Sequence, residues 1–364
     1  MACFFPHSTH GAKAVGIWLL LIALLIAAMV TVGGLTRLTG SGLSITEWHP
    51  VTGVVPPLSA HSWAEEFAKY QRIPQYRLEN PHMSLADFRQ IYWWEWTHRL
   101  LGRLLGVAFL LPFLFFAATG AISRSYLPRM LGLFALGGLQ GLVGWWMVES
   151  GLETRVSVSQ YRLAIHLGVA IILLGAILWS ALDYLRSTSS LPPAKEVPSA
   201  ARRKVAAWAL AFVALVYVQM LLGALVAGLH AGLIYNTWPS MDGRSFPEAP
   251  FFAKPWWVNF GENAGLAQFD HRVGAYLVAL SALALWVAGR RAGLGGTARV
   301  SNNVLIAVTG LQIVLGIMTL LNQAPVALAA LHQATAVALY ASAVWHAHAL
   351  RPRSANVPYA AASA

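Results

Sequence analysis

Eight long apolar runs leave this chain few folds to choose from. They fall at roughly 14–35, 94–118, 129–148, 161–182, 205–227, 269–289, 302–321 and 328–349. About 20 apolar residues cross a bilayer as a helix. A backbone in hydrocarbon must satisfy its own hydrogen bonds, and for runs of this length only a helix does so. With 57% hydrophobic and 11% charged residues, little of the chain is left for a water-soluble domain. The sequence predicts an all-α integral membrane protein with eight transmembrane helices.

Charge placement gives the orientation. Arg124 and Arg129 lie between runs two and three, and Arg186, Lys195, Arg202, Arg203 and Lys204 between runs four and five. Arg290, Arg291 and Arg299 lie between runs six and seven, with Arg351 and Arg353 in the tail. The opposite connections hold Arg155 alone, then Arg244 and Lys254, then neither residue type. The long connection between runs one and two balances its bases with acids and weighs less in this rule. Basic loops stay in the cytoplasm, so both termini are expected there. The net charge of +11 follows from this bias and calls for no nucleic-acid partner. Only about 13 residues precede the first run. That leader, too short for a transit peptide, leads us to expect a bacterial inner (plasma) membrane protein whose first helix is not cleaved. Cys3 is the sole cysteine, so neither an intramolecular disulfide nor a thiolate cluster is available.

The two halves of the chain match. GGLTRLTGSGLSITEW (33–48) aligns without a gap on GALVAGLHAGLIYNTW (223–238), bringing Gly33 onto Gly223, Gly42 onto Gly232 and Trp48 onto Trp238. LQGLVG (139–144) aligns on LQIVLG (311–316), matching Gln140 with Gln312 and Gly144 with Gly316. Parallel repeats are related by an axis along the membrane normal. The expected architecture is two pseudo-symmetric four-helix bundles. Residues 1–186 form the first, with a large outer loop at 36–92. Residues 187–204 form a cytoplasmic linker, and residues 205–364 the second bundle.

Four histidines recur at matching places: His98, His166, His271 and His332, each just inside an even-numbered run. EWTHRLLGRLLG (95–106) resembles QFDHRVGAYLVA (268–279), and YRLAIHLGVA (161–170) resembles VALAALHQATA (326–336). An imidazole in a bilayer is costly and needs a partner. At 1.5 Å per residue, all four sit roughly 7 Å below the outer boundary. Two such pairs suggest two bis-histidine hemes, or one heme and one heme-like substrate. Zinc fits less well, because it wants three or four clustered ligands. Residues four positions on are small (Gly102, Ala170, Ala275, Ala336). They either leave room for a flat porphyrin or permit tight helix packing. Of the other histidines, His7, His10, His346 and His348 are expected to be solvated at cytoplasmic ends. His49, His61, His82 and His230 are expected in outer loops, with His230 a candidate to line a site.

The halves differ beside these histidines. Glu95 lies three residues before His98, where the second half has Gln268 before His271. A carboxylate there could relay protons or stabilise developing positive charge. It could equally be an interfacial acid paired with Arg99 or Arg103. Arg99 and Arg272 follow their histidines directly. They could bind heme propionates through paired hydrogen bonds, or snorkel to the headgroups.

These motifs resemble the heme A synthase family over about residues 14–350. The resemblance rests on GGLTRLTGSGLSITEWHPVTGVVPP (33–57), EWTHRLLGRLLG (95–106), RLAIHLG (162–168), FDHRVGAY (269–276) and LHQATA (331–336). It implies eight helices in two units, and oxidation of the C8 methyl of heme O to the formyl of heme A for cytochrome oxidase. It implies that His98 and His166 flank the substrate heme, with Glu95 catalytic, and that His271 and His332 ligate heme b. Without loop cysteines, the chain resembles the alphaproteobacterial and mitochondrial branch. The expected chemistry is stepwise and monooxygenase-like, with O2 or water as oxygen source and an unidentified electron donor. Because a bis-histidine iron has no open position, one first-half histidine is expected to let go during turnover. Pathway logic names a heme O synthase and cytochrome oxidase subunits as partners, and a homo-oligomer is compatible with the sequence. The competing readings are a diheme b-type transmembrane electron carrier and a transporter or heme-handling chaperone.

Overall fold

The computed structural model describes residues 9–187 and 200–351. His7 and most of the linker fall outside that range. Among the described residues, eight helices are long and apolar enough to cross a membrane. They are α1 (Thr9–Leu38), α4 (Leu85–Ala118), α5 (Leu127–Glu149), α6 (Gln160–Ser187), α7 (Ala200–Gly228), α9 (Ala264–Arg291), α10 (Gly296–Leu321) and α11 (Val326–Leu350). The short helices α2 (Ala60–Tyr70), α3 (Pro74–Leu78) and α8 (Asn259–Glu262) lie in the connections.

Several helices begin earlier than the apolar runs imply. α4 starts at residue 85 rather than 94, α9 at 264 rather than 269, and α10 at 296 rather than 302. Hydropathy marks the part of a helix at lipid depth, whereas the helix itself runs back to its cap. For α4 that cap is a reciprocal pair. Asp87 N–H donates to Ser84 Oγ at 3.2 Å, and Ser84 N–H donates to Asp87 Oδ2 at 3.1 Å. For α9, Leu266 N–H donates to Asn263 Oδ1 at 3.1 Å.

The extra turns of α4 carry a small core outside the apolar span. Trp63 and Tyr70 of α2 pack with Phe88 and Tyr92 of α4, and with Leu43, Ile45 and Ile73. The Trp63 and Tyr92 rings meet edge to face at 5.0 Å. The connection between α1 and α4 is thus a folded cap, its α3 tied to the turn that follows α1 where Gln75 Nε2 donates to the Gly40 carbonyl.

Helix neighbours repeat from half to half. α1, α4, α5 and α6 close a ring in which each touches the next and α6 returns to α1. α7, α9, α10 and α11 do the same. The rings join through α1 against α11 and through α6 against α7 and α11. One apolar core runs through both, from Ile22, Ile26 and Leu174 to Phe212, Leu285 and Val344.

Polar links cross the join at both ends. On one side, Gln333 Nε2 of α11 donates to the Val30 carbonyl of α1 at 2.8 Å. Arg37 donates to the Ala227 carbonyl and meets His230 Nε2 at 2.6 Å. At the other end Asp183 collects Tyr126 Oη (2.8 Å), His348 Nε2 (3.0 Å) and Arg351 (3.1 Å). His346 and His348 therefore correct the expectation of solvated ends. They are 0% and 4% exposed. His346 meets Ser301 Oγ at 2.9 Å, and His348 lies edge-on to Trp179. α6, α10 and α11 converge there, and an acid and a hydroxyl take the place of water. His10 is exposed, as expected.

Gly34 is where the halves approach most closely, since a Cβ there would collide with the Gln333 amide. Gly34→Ala should lower the unfolding midpoint in detergent by an amount worth about 1–3 kcal/mol of overpacking. Gln333→Ala should cost about 1 kcal/mol for the lost hydrogen bond. The double variant should cost less than the sum, because removing Gln333 makes room for the methyl. Strict additivity would show that the two residues do not share this contact.

Candidate functional site

Each of the four histidines rests on a glycine of the helix before it. A Cβ at Gly33 of α1 would lie 2.8 Å from Cε1 of His98. At Gly144 of α5 it would lie 2.9 Å from His166, at Gly223 of α7 3.1 Å from His271, and at Gly316 of α10 2.9 Å from His332. No side chain other than hydrogen fits between ring and backbone at such distances. The helix pairs α1/α4, α5/α6, α7/α9 and α10/α11 thus repeat one device: a glycine seat opposite an imidazole. The alignment of the halves contained these glycines as marks of duplication, without showing what lies on them.

One turn before the seat, at the position four residues earlier, stands a glutamine in three helices. Gln140 Nε2 lies 3.1 Å from His166 Nδ1 and donates to the His166 carbonyl at 3.0 Å. Gln219 Nε2 lies 3.0 Å from His271 Nδ1 and donates to the His271 carbonyl at 2.8 Å. Gln312 Nε2 reaches His332 Nε2 at 3.4 Å. In α1 the same position is Met29.

The histidines are brought together in pairs. The His271 and His332 rings have centroids 6.4 Å apart and stand at 84° to each other. His98 and His166 lie within electrostatic reach of one another. Both pairs sit in apolar helix bundles, and the Nδ1 atoms of His98 and His332 are buried without a hydrogen-bond partner. Buried polar atoms left unpaired are uncommon and point to a missing ligand. Among the described residues, no three of His, Cys, Asp and Glu gather as a compact metal site would require.

Glu95 is 3% exposed and saturated. Its carboxylate accepts Ser44 Oγ–H (2.7 Å), Ile45 N–H (2.8 Å), and Arg99 Nε and Nη2 (3.1 and 2.7 Å). Gln268 does the matching task in the second half. It donates to the Ala231 and Ile234 carbonyls at 2.7 and 2.6 Å and accepts Arg272 at 2.9 Å. Both residues clamp the segment that leaves the preceding odd-numbered helix. The acid receives an N–H and a hydroxyl, whereas the amide gives to carbonyls. Arg99 also donates to the Glu47 and Ile45 carbonyls, and Arg272 to Tyr235 and Ser240. These guanidiniums therefore fasten the outer loops beside the histidines, a use the sequence did not show.

Beyond them lies an open cavity of about 390 Å³, bordered by Glu47, His49, Tyr92, Trp96, Arg99 and Arg103. Arg103 holds its rim by donating to the Pro50 and His49 carbonyls. On that rim, hydrogen bonds from Lys69 and His49 hold the Glu47 carboxyl below its usual range. His61 and His82 are exposed, His61 beside Glu65 at 3.6 Å, whereas His230 serves the join with Arg37.

Of the small residues four positions after the histidines, Gly102, Ala170 and Ala336 lie where helices pack closely, as one of their two readings has it. A Cβ on Gly102 would touch Met29 at 3.3 Å, and Ala170 and Ala336 pack into or against the apolar core. Their size serves helix packing, and the glycines of the facing helices provide the space around the imidazoles. Replacing a seat should therefore unseat one histidine alone. Gly316→Ala should weaken retention of any heme held by His332 by roughly 10- to 100-fold, the effect of 1–3 kcal/mol of overpacking. Heme-to-protein absorbance ratios after washing would show it, and undiminished retention would sink the idea.

The chain matches the family described as cytochrome oxidase assembly protein, COX15-CtaA, over residues 16–344. It is 49% identical to the heme A synthase of Parvibaculum lavamentivorans across 93% of this chain and 94% of the relative. It is 51% identical to that of Bradyrhizobium diazoefficiens across 94% and 92%. With the heme A synthase of Nitrosospira multiformis it shares 45% identity across 93% and 94%. At such coverage the chain belongs to the COX15-CtaA family of cytochrome oxidase assembly proteins.

Proposed function

We propose that this chain oxidises the C8 methyl of heme O to the formyl group of heme A. The observation that carries the reading is the pairing of four glycine-seated histidines into two sites, only one of which has a carboxylate three residues before its histidine, where the other has Gln268. The relatives named heme A synthase support it. In this reading the unit of residues 1–186 takes heme O between His98 and His166, and the unit of residues 205–364 holds heme b between His271 and His332. Residues 187–204 link them. The protein sits in the bacterial inner membrane with its termini cytoplasmic and its heme sites toward the periplasmic side.

The residues fit such a group. An iron bound to an imidazole nitrogen at about 2 Å on each face puts the ring centres roughly 6 Å apart. The His271 and His332 rings, 6.4 Å apart, match that spacing. The glutamines suit ligating histidines, whose second nitrogen ordinarily has an orienting partner. Iron would supply electron transfer in the second unit and activation of oxygen in the first.

The protein's own residues then have distinct tasks. Glu95 has all its acceptor positions filled, so it serves as a fixed negative charge one turn from His98 rather than as a mobile proton carrier. Such a charge favours positive charge developing on the substrate. Arg99 and Arg272 hold the loops that shield the sites and place positive charge at their mouths, where heme propionates bind. The methyl carbon is oxidised twice, first to an alcohol and then to a hydrated aldehyde that loses water. With O2 as the oxygen source, each step takes two electrons and two protons from an unidentified donor and releases one water; with water as the source, each step instead passes two electrons to an acceptor. A heme O synthase would supply the substrate, and cytochrome oxidase subunits would receive the product.

Glu95→Gln tests this directly, because it removes the charge with the least change of shape. The variant should fold and keep heme b, yet form heme A roughly 10²–10⁴-fold more slowly. Chromatography of extracted hemes, with pyridine hemochrome spectra, reads both quantities. Heme b alone in wild type and variant, at two per chain, would establish a diheme electron carrier instead.

A further inference from the structure

The four histidine seats are alike except in one respect. His166 and His271 are each held twice by the amide of Gln140 or Gln219, at the ring and at the carbonyl. His332 has one longer contact, to Gln312. His98 has none of these, because α1 carries Met29 where the other helices carry glutamine. The end of the Met29 side chain lies against α4 one turn below the histidine, where a Cβ on Gly102 would meet its Cε at 3.3 Å. His98 Nδ1 is accordingly buried without a hydrogen-bond partner.

The backbone around His98 is itself fixed. Glu95 and Arg99, three residues before and one after, are both bonded to the segment Ser44–Glu47. The helix is therefore anchored while the ring is not. Rotation about the side-chain bonds is the motion left to it.

Resting on the reading that the first unit holds the substrate, we propose that Met29 is a positioning residue that makes His98 the releasable ligand. A hydrogen-bonded partner on the second nitrogen fixes the ring of a ligating histidine, and its removal typically weakens binding 10- to 100-fold. Thioether sulfur is at most a weak acceptor and donates nothing. His166 stays on the substrate iron because Gln140 holds it. His98 swings away because nothing does. This supplies the open position that the chemistry needs, in the unit where the chemistry takes place. In the second unit Gln219 holds His271 at both ring and carbonyl, and His332, whose Nδ1 is also unpaired, keeps the contact to Gln312 that His98 lacks.

The test uses the full chain in detergent, loaded with added heme to two per chain and reduced under argon. Carbon monoxide binds only an iron whose ligand has let go. In wild type and Met29→Leu, one heme per chain should bind it. In Met29→Gln that binding should slow by roughly 10- to 100-fold, with the low-spin electron paramagnetic resonance signal of two hemes retained. In Gln219→Met the second heme should become reactive as well, with the low-spin signals of both hemes retained before reduction, which a disturbed fold would lose. If Met29→Gln fails to fold, Gln219→Met carries the test. Equal carbon monoxide rates in wild type and Met29→Gln, or no second reactive heme in Gln219→Met, overturn the proposal. Extracted-heme chromatography judges the functional reading separately. Wild type that makes heme A while Met29→Gln reacts unchanged loses only the role of Met29. Wild type that reacts as described but makes no heme A loses only the assignment of the reaction.

Discussion

An imidazole below the membrane surface has no water to turn to, and much of this structure answers that constraint. Each ring needs a flat space, a neighbour for its nitrogens and a helix that cannot drift. Glycine on the preceding helix provides the space. Glutamine one turn away provides the neighbour in three cases of four. Glu95 and Gln268 fix the helices by binding the segments that leave α1 and α7. Loop arginines extend the same fastening outward. The bundle is arranged around the histidines as much as around its apolar core.

Much of the fold was legible in the sequence because lipid imposes one rule on every run. Eight apolar stretches could only be helices, and eight spans are present. The folded cap was only half visible. Trp63 and Tyr70 lie on one helix and Phe88 and Tyr92 on another, and nothing in local periodicity says that they meet. The early start of α4 escaped for the same reason, since a polar helix turn that packs on a soluble cap has no hydropathy signal. His346 and His348 were assigned to water from their place near a helix end. Ser301 and Asp183, which replace that water, are contributed by other helices.

At the site, residue types were more legible than their tasks. The histidine repeat and the contrast of Glu95 with Gln268 stood out in the sequence. Periodicity tells which residues share a helix face, yet it does not tell what the facing helix presents. Small residues on the histidine helices were therefore read as possible clearance, while the space comes from Gly33, Gly144, Gly223 and Gly316 across the gap. The Gln-x-x-x-Gly spacing on α5, α7 and α10, and its failure on α1, could have been read directly. It gains meaning only once the glycine is seen beneath a ring.

Gly33 and Gly34 are neighbours on α1, yet one lies under His98 and the other against Gln333, the residue after His332. The two halves consequently share a wall. Duplicated proteins usually diversify because one copy drifts while the other keeps the ancestral task. Here a substitution, tilt or register slip in this single turn is felt by both copies at once. Specialisation has therefore been left to positions that only one half reads, such as 29 and 95, while the common wall stays the same for both.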